Sequence, residues 1–234
     1  MKNKSLLILA LIPVCVFLLL AYTGAAFSAS EKPVVIGFIG PFDSDAGKST
    51  LRGAEIAIEE INAAGGMLGG RMIKLVKADT GEDVTEGIKA YEYLNEKEKV
   101  DFIISGSIDD VSLGWMPRMA EYRTPTLDTW TSAYSAIEKV SKEYEKYKMY
   151  FMNCPTDYAL GTQYVDFGKD VLAKDLGYKT TVIMQEDTAY GAGTFDFIKG
   201  DILPTAGIEM LDHIVYDVNT VDFSPIYNKI IKTN

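Results

Sequence analysis

Residues 34–80 constrain this chain more than any other stretch. An apolar strand, Val34-Val35-Ile36-Gly37-Phe38-Ile39, breaks at Gly40-Pro41. A helix is predicted over Leu51–Ala64, stopped by Gly65-Gly66, and a second strand runs from Met72 to Asp79. In the helix Leu51, Ala54, Ile58 and Ile61 recur at the helical period, with Arg52, Glu55 and Glu59 opposite. Strand, helix and strand in succession imply parallel pairing through a right-handed crossover, the start of a layered α/β sheet.

The alternation continues. Val84, Ile88, Tyr91 and Leu94 mark a second helix, and Val100–Ser105 reads as a buried strand. Val111–Tyr122 reads as a third helix, and Pro125-Thr126-Leu127 opens a fourth strand. Residues 138–148, dense in Glu, Lys and Tyr, suit a solvated connection. A second α/β run follows: helix 160–176, strand 180–185, helix 193–203, strand 208–216, and a helix opened by Ser224-Pro225. The expected organisation is therefore residues 1–30 as a targeting segment, 31–153 as one lobe and 154–234 as a second.

The first 30 residues carry Lys2 and Lys4, an apolar run Leu6–Leu20 and then small residues, the pattern of an export signal. Two readings stand, cleavage near Ser28 or Ser30 and retention as an anchor. Cys15 follows Val14, where a lipoprotein signal wants a small residue, so it reads as a bystander. Either way the expected location is periplasmic or extracellular, with tethering as the second reading. Without Lys2 and Lys4 the body has 21 basic against 33 acidic residues, a net −12. Such a body is a poor partner for nucleic acid or anionic membranes.

The sequence excludes much chemistry. Ala46-Gly47-Lys48-Ser49-Thr50 imitates a phosphate loop, but Phe42 stands where the first glycine belongs, and Asp43 and Asp45 would repel phosphate. Gly37 with Gly40 is too sparse for a dinucleotide fingerprint, and no Gly-x-Ser-x-Gly elbow occurs. His213 is the single histidine and Cys154 the single cysteine after the leader, which argues against metal ligation, a disulfide and most nucleophilic dyads. No cofactor and no enzymatic activity are expected. Adjacent Asp109 and Asp110 rarely converge on one bond, so they read as solvated or capping acids rather than a glycosidase pair.

Polar residues do gather where strands end, the edge at which open α/β sheets bind ligands. After the third strand come Ser105, Gly106, Ser107, Asp109 and Asp110; after the fourth come Asp128, Thr129, Trp130, Thr131 and Ser132; the second run adds Asp187, Tyr190 and Gly191. Each alone could be an ordinary helix cap; together they suggest a cleft.

Particular residues carry a resemblance. Ile36-Gly37-Phe38 with Gly40-Pro41, Gly53-Ala54-Glu55-Ile56-Ala57, Glu60 to Gly66, Arg71, the Lys74–Ala78 strand with Asp79, Cys154-Pro155-Thr156-Asp157, Asp187 with Tyr190-Gly191, and Asp222-Phe223 resemble the type I periplasmic binding proteins of branched-chain amino acid ABC transporters. The likeness runs from about residue 34 to the end. It implies two α/β lobes, each a parallel sheet flanked by helices, joined by a three-strand hinge and closing on a small ligand. It also implies delivery of that ligand to a membrane permease and its ATPase.

Carried over by position, the resemblance expects Ser107, Asp109, Asp110, Thr129, Trp130, Thr131, Ser132, Asp157 and Tyr190 to bind an amino acid, of branched-chain type, or a related small polar molecule. An acid falls near the family's usual serine, at Asp109 or Asp110; an acid cannot donate to a ligand carboxylate and instead suits an ammonium or amide. The aromatic residue common before the first helix is replaced around Ala46. Family members are also much longer, so the C-terminal part of the fold is expected to be missing. The alternatives are a sensor ectodomain binding the same ligands and, third, an exported α/β enzyme using Asp187 or Asp110.

Overall fold

The computed structural model describes residues 32–233; the expected leader, residues 1–30, lies outside them. Among the described residues no helix is long and apolar enough to cross a membrane. Two compact units are present: the described residues up to Val34 with Ile56–Lys74, and Val35–Glu55 with the chain from Leu75 onward.

The first unit is held by polar clips. The Asn62 side chain brackets Ile73, its Nδ2 donating to the Ile73 carbonyl at 2.9 Å and its Oδ1 accepting the Ile73 amide at 2.7 Å. Arg71 Nε donates to the Lys32 carbonyl at 2.8 Å. Gly65 and Gly66 take φ of +101° and +84°. A side chain on Gly66 would stand 2.4 Å from the Arg71 carbonyl oxygen, so the turn requires glycine.

The second unit carries nearly all of a five-stranded sheet of order β2-β1-β3-β4-β5, with β1 Val34–Gly40, β2 Ile73–Asp79, β3 Phe102–Ser105, β4 Thr126–Asp128 and β5 Tyr150–Met152. The pairs β1/β3, β3/β4 and β4/β5 are parallel. A separate sheet pairs β6 Thr180–Glu186 with β7 Glu209–Tyr216, also in parallel. Helices connect the strands: α1 Asp45–Ala63, α2 Val84–Glu96, α3 Asp109–Trp115, α4 Tyr134–Lys142, α5 Asp157–Asp166, α6 Ala189–Phe197 and α7 Ser224–Thr233. The expected α/β architecture of parallel sheet and flanking helices is thus observed.

Several local expectations change. Helix α1 begins at Asp45 rather than Leu51, because Gly47 fits against Pro41; a Cβ there would lie 1.7 Å from the Pro41 carbonyl oxygen. The residues that imitate a phosphate loop are therefore helical. The helix expected over Val111–Tyr122 starts at Asp109 and tightens into a 3₁₀ turn over Met116–Arg118, where Pro117 cannot donate. The solvated connection expected over 138–148 is instead largely helical, Tyr134–Lys142 and Tyr144–Tyr147, and Tyr147 is buried. Its polar composition hid an inward tyrosine that anchors the approach to β5.

The core of this unit joins Ile39 and Ile103 of the sheet to Tyr91 and Leu94 of α2 and to Trp115, Met116 and Met119. Tyr91 stacks on Trp115 with ring centroids 4.9 Å apart and planes within 4°. Each fully buried side chain of this size contributes on the order of 2–3 kcal/mol. Helices α2 and α3 approach closely through reciprocal glycines. A Cβ on Gly87 would stand 2.4 Å from Val111 Cγ1, and one on Gly114 would stand 2.6 Å from Val84 Cγ1. That contact packs the first turn of α2 closely against α3.

Candidate functional site

The order 2-1-3-4-5 places a topological switch between β1 and β3, where adjacent chain connections part and leave a crevice beyond the strand ends. Three loops emerge there. After β2, Thr80–Asp83 forms a turn with Gly81 and Glu82 at positive φ, closed by the Asp83 amide donating to the Thr80 carbonyl at 2.9 Å. Asp83 then caps α2 by accepting the Glu86 amide at 2.9 Å. After β3, Ser107 is fully buried and Asp109 and Asp110 open α3.

The loop after β4 is organised from within by Asp128. Its carboxylate accepts the Trp130 and Thr131 amides at 3.4 and 3.2 Å, the Thr131 hydroxyl at 2.7 Å and the Tyr150 hydroxyl at 3.2 Å. Burial pushes Asp128 above the ordinary carboxylate range, opposed by Ser112 and by the Thr131 and Trp130 hydrogen bonds. Burial and then the nearby Asp128 charge raise the Tyr150 phenol.

A cavity of about 1020 Å³ opens beside these loops. Asp109, Asp110, Trp130 and Ser132 wall it from the five-stranded sheet, and Glu186, Asp187, Thr188 and Tyr190 from the end of β6. Cys154 also lines it, its Sγ 3.3 Å from Ser132 Oγ. Asp109 is 7% exposed; its Oδ1 accepts the Ser132 amide at 2.7 Å, whereas its buried Oδ2 has no hydrogen-bond partner. Burial, offset by the Ser132 and Ala133 amides and reinforced by the charges of Asp128 and Asp157, pushes its carboxyl up to about 6.

Of the nine residues expected to bind, Asp109, Asp110, Trp130, Ser132 and Tyr190 thus share one hollow. The other four do not line it. Thr131 is fully buried on Asp128, and Thr129 Oγ1 donates to the Ser105 carbonyl at 2.8 Å. Ser107 is buried behind the wall. Asp157 lines a smaller neighbouring hollow of about 470 Å³, where its Oδ1 accepts the Tyr134 and Tyr158 amides at 3.1 and 2.7 Å.

Residues not chosen from the sequence also contribute: Glu82 and Asp83 after β2, Glu186 at the end of β6, and Val218 and Asn219 after β7. Applying the strand-end argument to β2 and β7 as well, and starting it at the last residue of β6, would have found them. His213 lies elsewhere, its Nε2 2.8 Å from Gln185 Oε1 and its ring stacked on Phe195 at 3.6 Å between centroids. Among the described residues no three His, Cys, Asp or Glu side chains come together to hold a metal ion.

Comparison with known proteins agrees with this architecture. A family model described as periplasmic binding protein matches residues 33–234. The branched-chain amino acid transporter substrate-binding protein LivJ of Streptococcus pneumoniae, solved with isoleucine, superposes with a TM-score of 0.71 at 18% identity, covering 85% of this chain and 54% of that one. The leucine-binding protein LivK of Thermotoga maritima gives a TM-score of 0.71 at 23% identity over 86% of this chain and 54% of its own. An ABC transporter solute-binding protein of Rhodopseudomonas palustris, solved with 3,4-dihydroxybenzoic acid, gives 0.67 at 18% identity over 86% of this chain and 52% of its own. The chain therefore spans about half the length of the solved structures it matches. No curated protein matches it.

Proposed function

The chain belongs to the periplasmic binding protein family, of ABC transporter type and type I fold, and on that premise we propose that it is the solute-binding component of an importer, holding a small polar ligand in the cavity of about 1020 Å³. The family is one of extracytoplasmic, non-enzymatic solute binders. In our reading the ligand bears an amino group, as an amino acid of branched-chain type does. Residues 31–153 and 154–234 act as two lobes, and a membrane permease with its ATPase receives the ligand. Residues 1–30 serve as export signal or anchor.

One observation carries this reading. A single hollow is walled by strand-end residues of both sheets: Asp109, Asp110 and Trp130 on one side, Glu186, Asp187 and Tyr190 on the other. A solute there touches both runs at once, so its binding energy favours their closure. Tyr190 and Trp130 offer aromatic faces and the carboxylates offer acceptors, a set suited to holding a ligand without changing it.

Titration calorimetry of the full chain against isoleucine, neutral amides, amines and 3,4-dihydroxybenzoate tests the proposal. Saturable heat with one of these classes, lost in Tyr190→Ala and Asp110→Ala, is the expected result. No heat with any class overturns it.

A further inference from the structure

We infer that the ligand of this cavity is an organic cation, an amine or diamine with net positive charge, rather than a zwitterion or a carboxylate. The inference rests on the solute-binding reading above and narrows its substrate class.

The first ground is charge. Glu82, Asp83, Asp109, Asp110, Glu186 and Asp187 all line the hollow, and no described lysine, arginine or histidine does. A ligand carboxylate brought among six acids meets repulsion with no counter-charge, and an ammonium meets attraction.

The second ground is the supply of donors. A carboxylate would need backbone amides at helix starts, and at the wall those of α2 and α6 are already engaged by this chain's own oxygens, whereas α3, with Ile108 at its N-cap, has no side-chain cap. The Glu86 amide donates to Asp83 Oδ1 at 2.9 Å, the Ala189 amide to the Asp110 carboxylate at 3.3 and 3.4 Å, and the Gly191 amide to Thr188 Oγ1 at 3.0 Å.

The third is independent of the cluster. Asp109, 7% exposed and lining the hollow, keeps Oδ2 buried without a partner. A buried acceptor is costly unless something donates to it, and an ammonium donates three times. Trp130 and Tyr190 supply aromatic faces for the rest of the cation. A hollow of about 1020 Å³ suits an extended organic molecule, and among the described residues no trio of ligands is gathered for a bare metal ion.

The test is calorimetry of the full chain at pH 8 with 1,4-diaminobutane, phenethylamine, isoleucine, 3,4-dihydroxybenzoate and calcium chloride as separate probes. An amine should bind at least tenfold more tightly than isoleucine, with affinity falling as salt is raised and no heat from 3,4-dihydroxybenzoate. Asp109→Asn should weaken the amine at least tenfold. Should that variant fail to fold, Asp187→Asn, at an exposed position, should weaken it severalfold. Isoleucine, 3,4-dihydroxybenzoate or calcium binding more tightly than either amine overturns the cation assignment; for the two organic probes the solute-binding reading survives. Silence from all five probes overturns both. Amine binding unaffected by either substitution also overturns it.

Discussion

The Asp110 carboxylate at the start of α3 accepts the Ala189 amide at the start of α6, across 79 residues of chain. It thereby ties the five-stranded sheet's side of the hollow to the β6 side through one acid. A carboxylate at a helix amino end also complements the helix dipole, so the bond is charge-assisted.

Replacing Asp110 by Ala should loosen this tie at a cost of about 1 kcal/mol. Hydrogen exchange read by NMR should show faster exchange of the Ala189 amide, with core amides such as that of Ile103 much less affected. Equal acceleration everywhere would mean that Asp110 supports the whole fold rather than this junction.

Asp109 makes stability depend on pH in a defined direction. Its folded carboxyl titrates at about 6, above the ordinary 3.8, chiefly through burial. Between those values the folded state keeps a proton that the unfolded chain has lost, so stability falls as pH rises through the window and levels off above it. The difference corresponds to about 2–3 kcal/mol. Asp128 is shifted upward as well, so the informative quantity is wild type minus Asp109→Asn in denaturant melts. Asp109→Asn should be the more stable protein at pH 8 by about 2 kcal/mol, with the advantage gone at pH 4.

The same carboxyl sets the pH profile of binding. An ammonium pairs with the ionised form, so amine affinity should rise from pH 5 to about 7 and then plateau. The charges of Asp128 and Asp157 oppose its ionisation, and Glu82, Asp83, Asp110, Glu186 and Asp187 line the same hollow. Calorimetry across this range should give a flat profile for Asp109→Asn.

Trp130 is 47% exposed at the wall of the hollow, so Trp130→Ala should change stability by no more than about 0.5 kcal/mol. A cation over its face is worth about 0.5–2 kcal/mol, and amine affinity should fall roughly 2- to 30-fold. An unchanged dissociation constant would remove the tryptophan from the site.

Gly87 is predicted to be intolerant of alanine despite lying in a helix. Alanine gains about 1 kcal/mol of helix propensity, but its Cβ would meet Val111 Cγ1 at 2.4 Å, and such overpacking costs about 1–3 kcal/mol. A net loss of about 1 kcal/mol is expected in denaturant melts. The Gly87→Ala, Val111→Ala double variant should lose less than the two single losses combined, since the added methyl enters the space that valine leaves.

Periodicity alone determined most of the element order. The repeat of Leu51, Ala54, Ile58 and Ile61, the apolar runs of β1 and β3, and the Ser224-Pro225 helix start are local signals, and the structure places elements there. Composition was misleading at residues 138–148, because amphipathic tyrosines such as Tyr147 bury a ring while charged neighbours face water. Strand-end reasoning named the loops that border the hollow, Asp109 to Asp110 and Trp130 to Ser132 among them.

Which side chains of those loops face the hollow was decided only by tertiary structure. Thr129, Trp130, Thr131 and Ser132 are consecutive and all polar or aromatic, yet Thr131 turns inward to Asp128 and Trp130 outward to the cavity. That choice depends on Asp128 and Tyr150 meeting across paired strands 22 residues apart. A chain read in one dimension shows where strands stop and polar residues collect; which oxygen satisfies which buried donor depends on packing between elements distant in sequence, and so does the one carboxylate oxygen of Asp109 left without a partner.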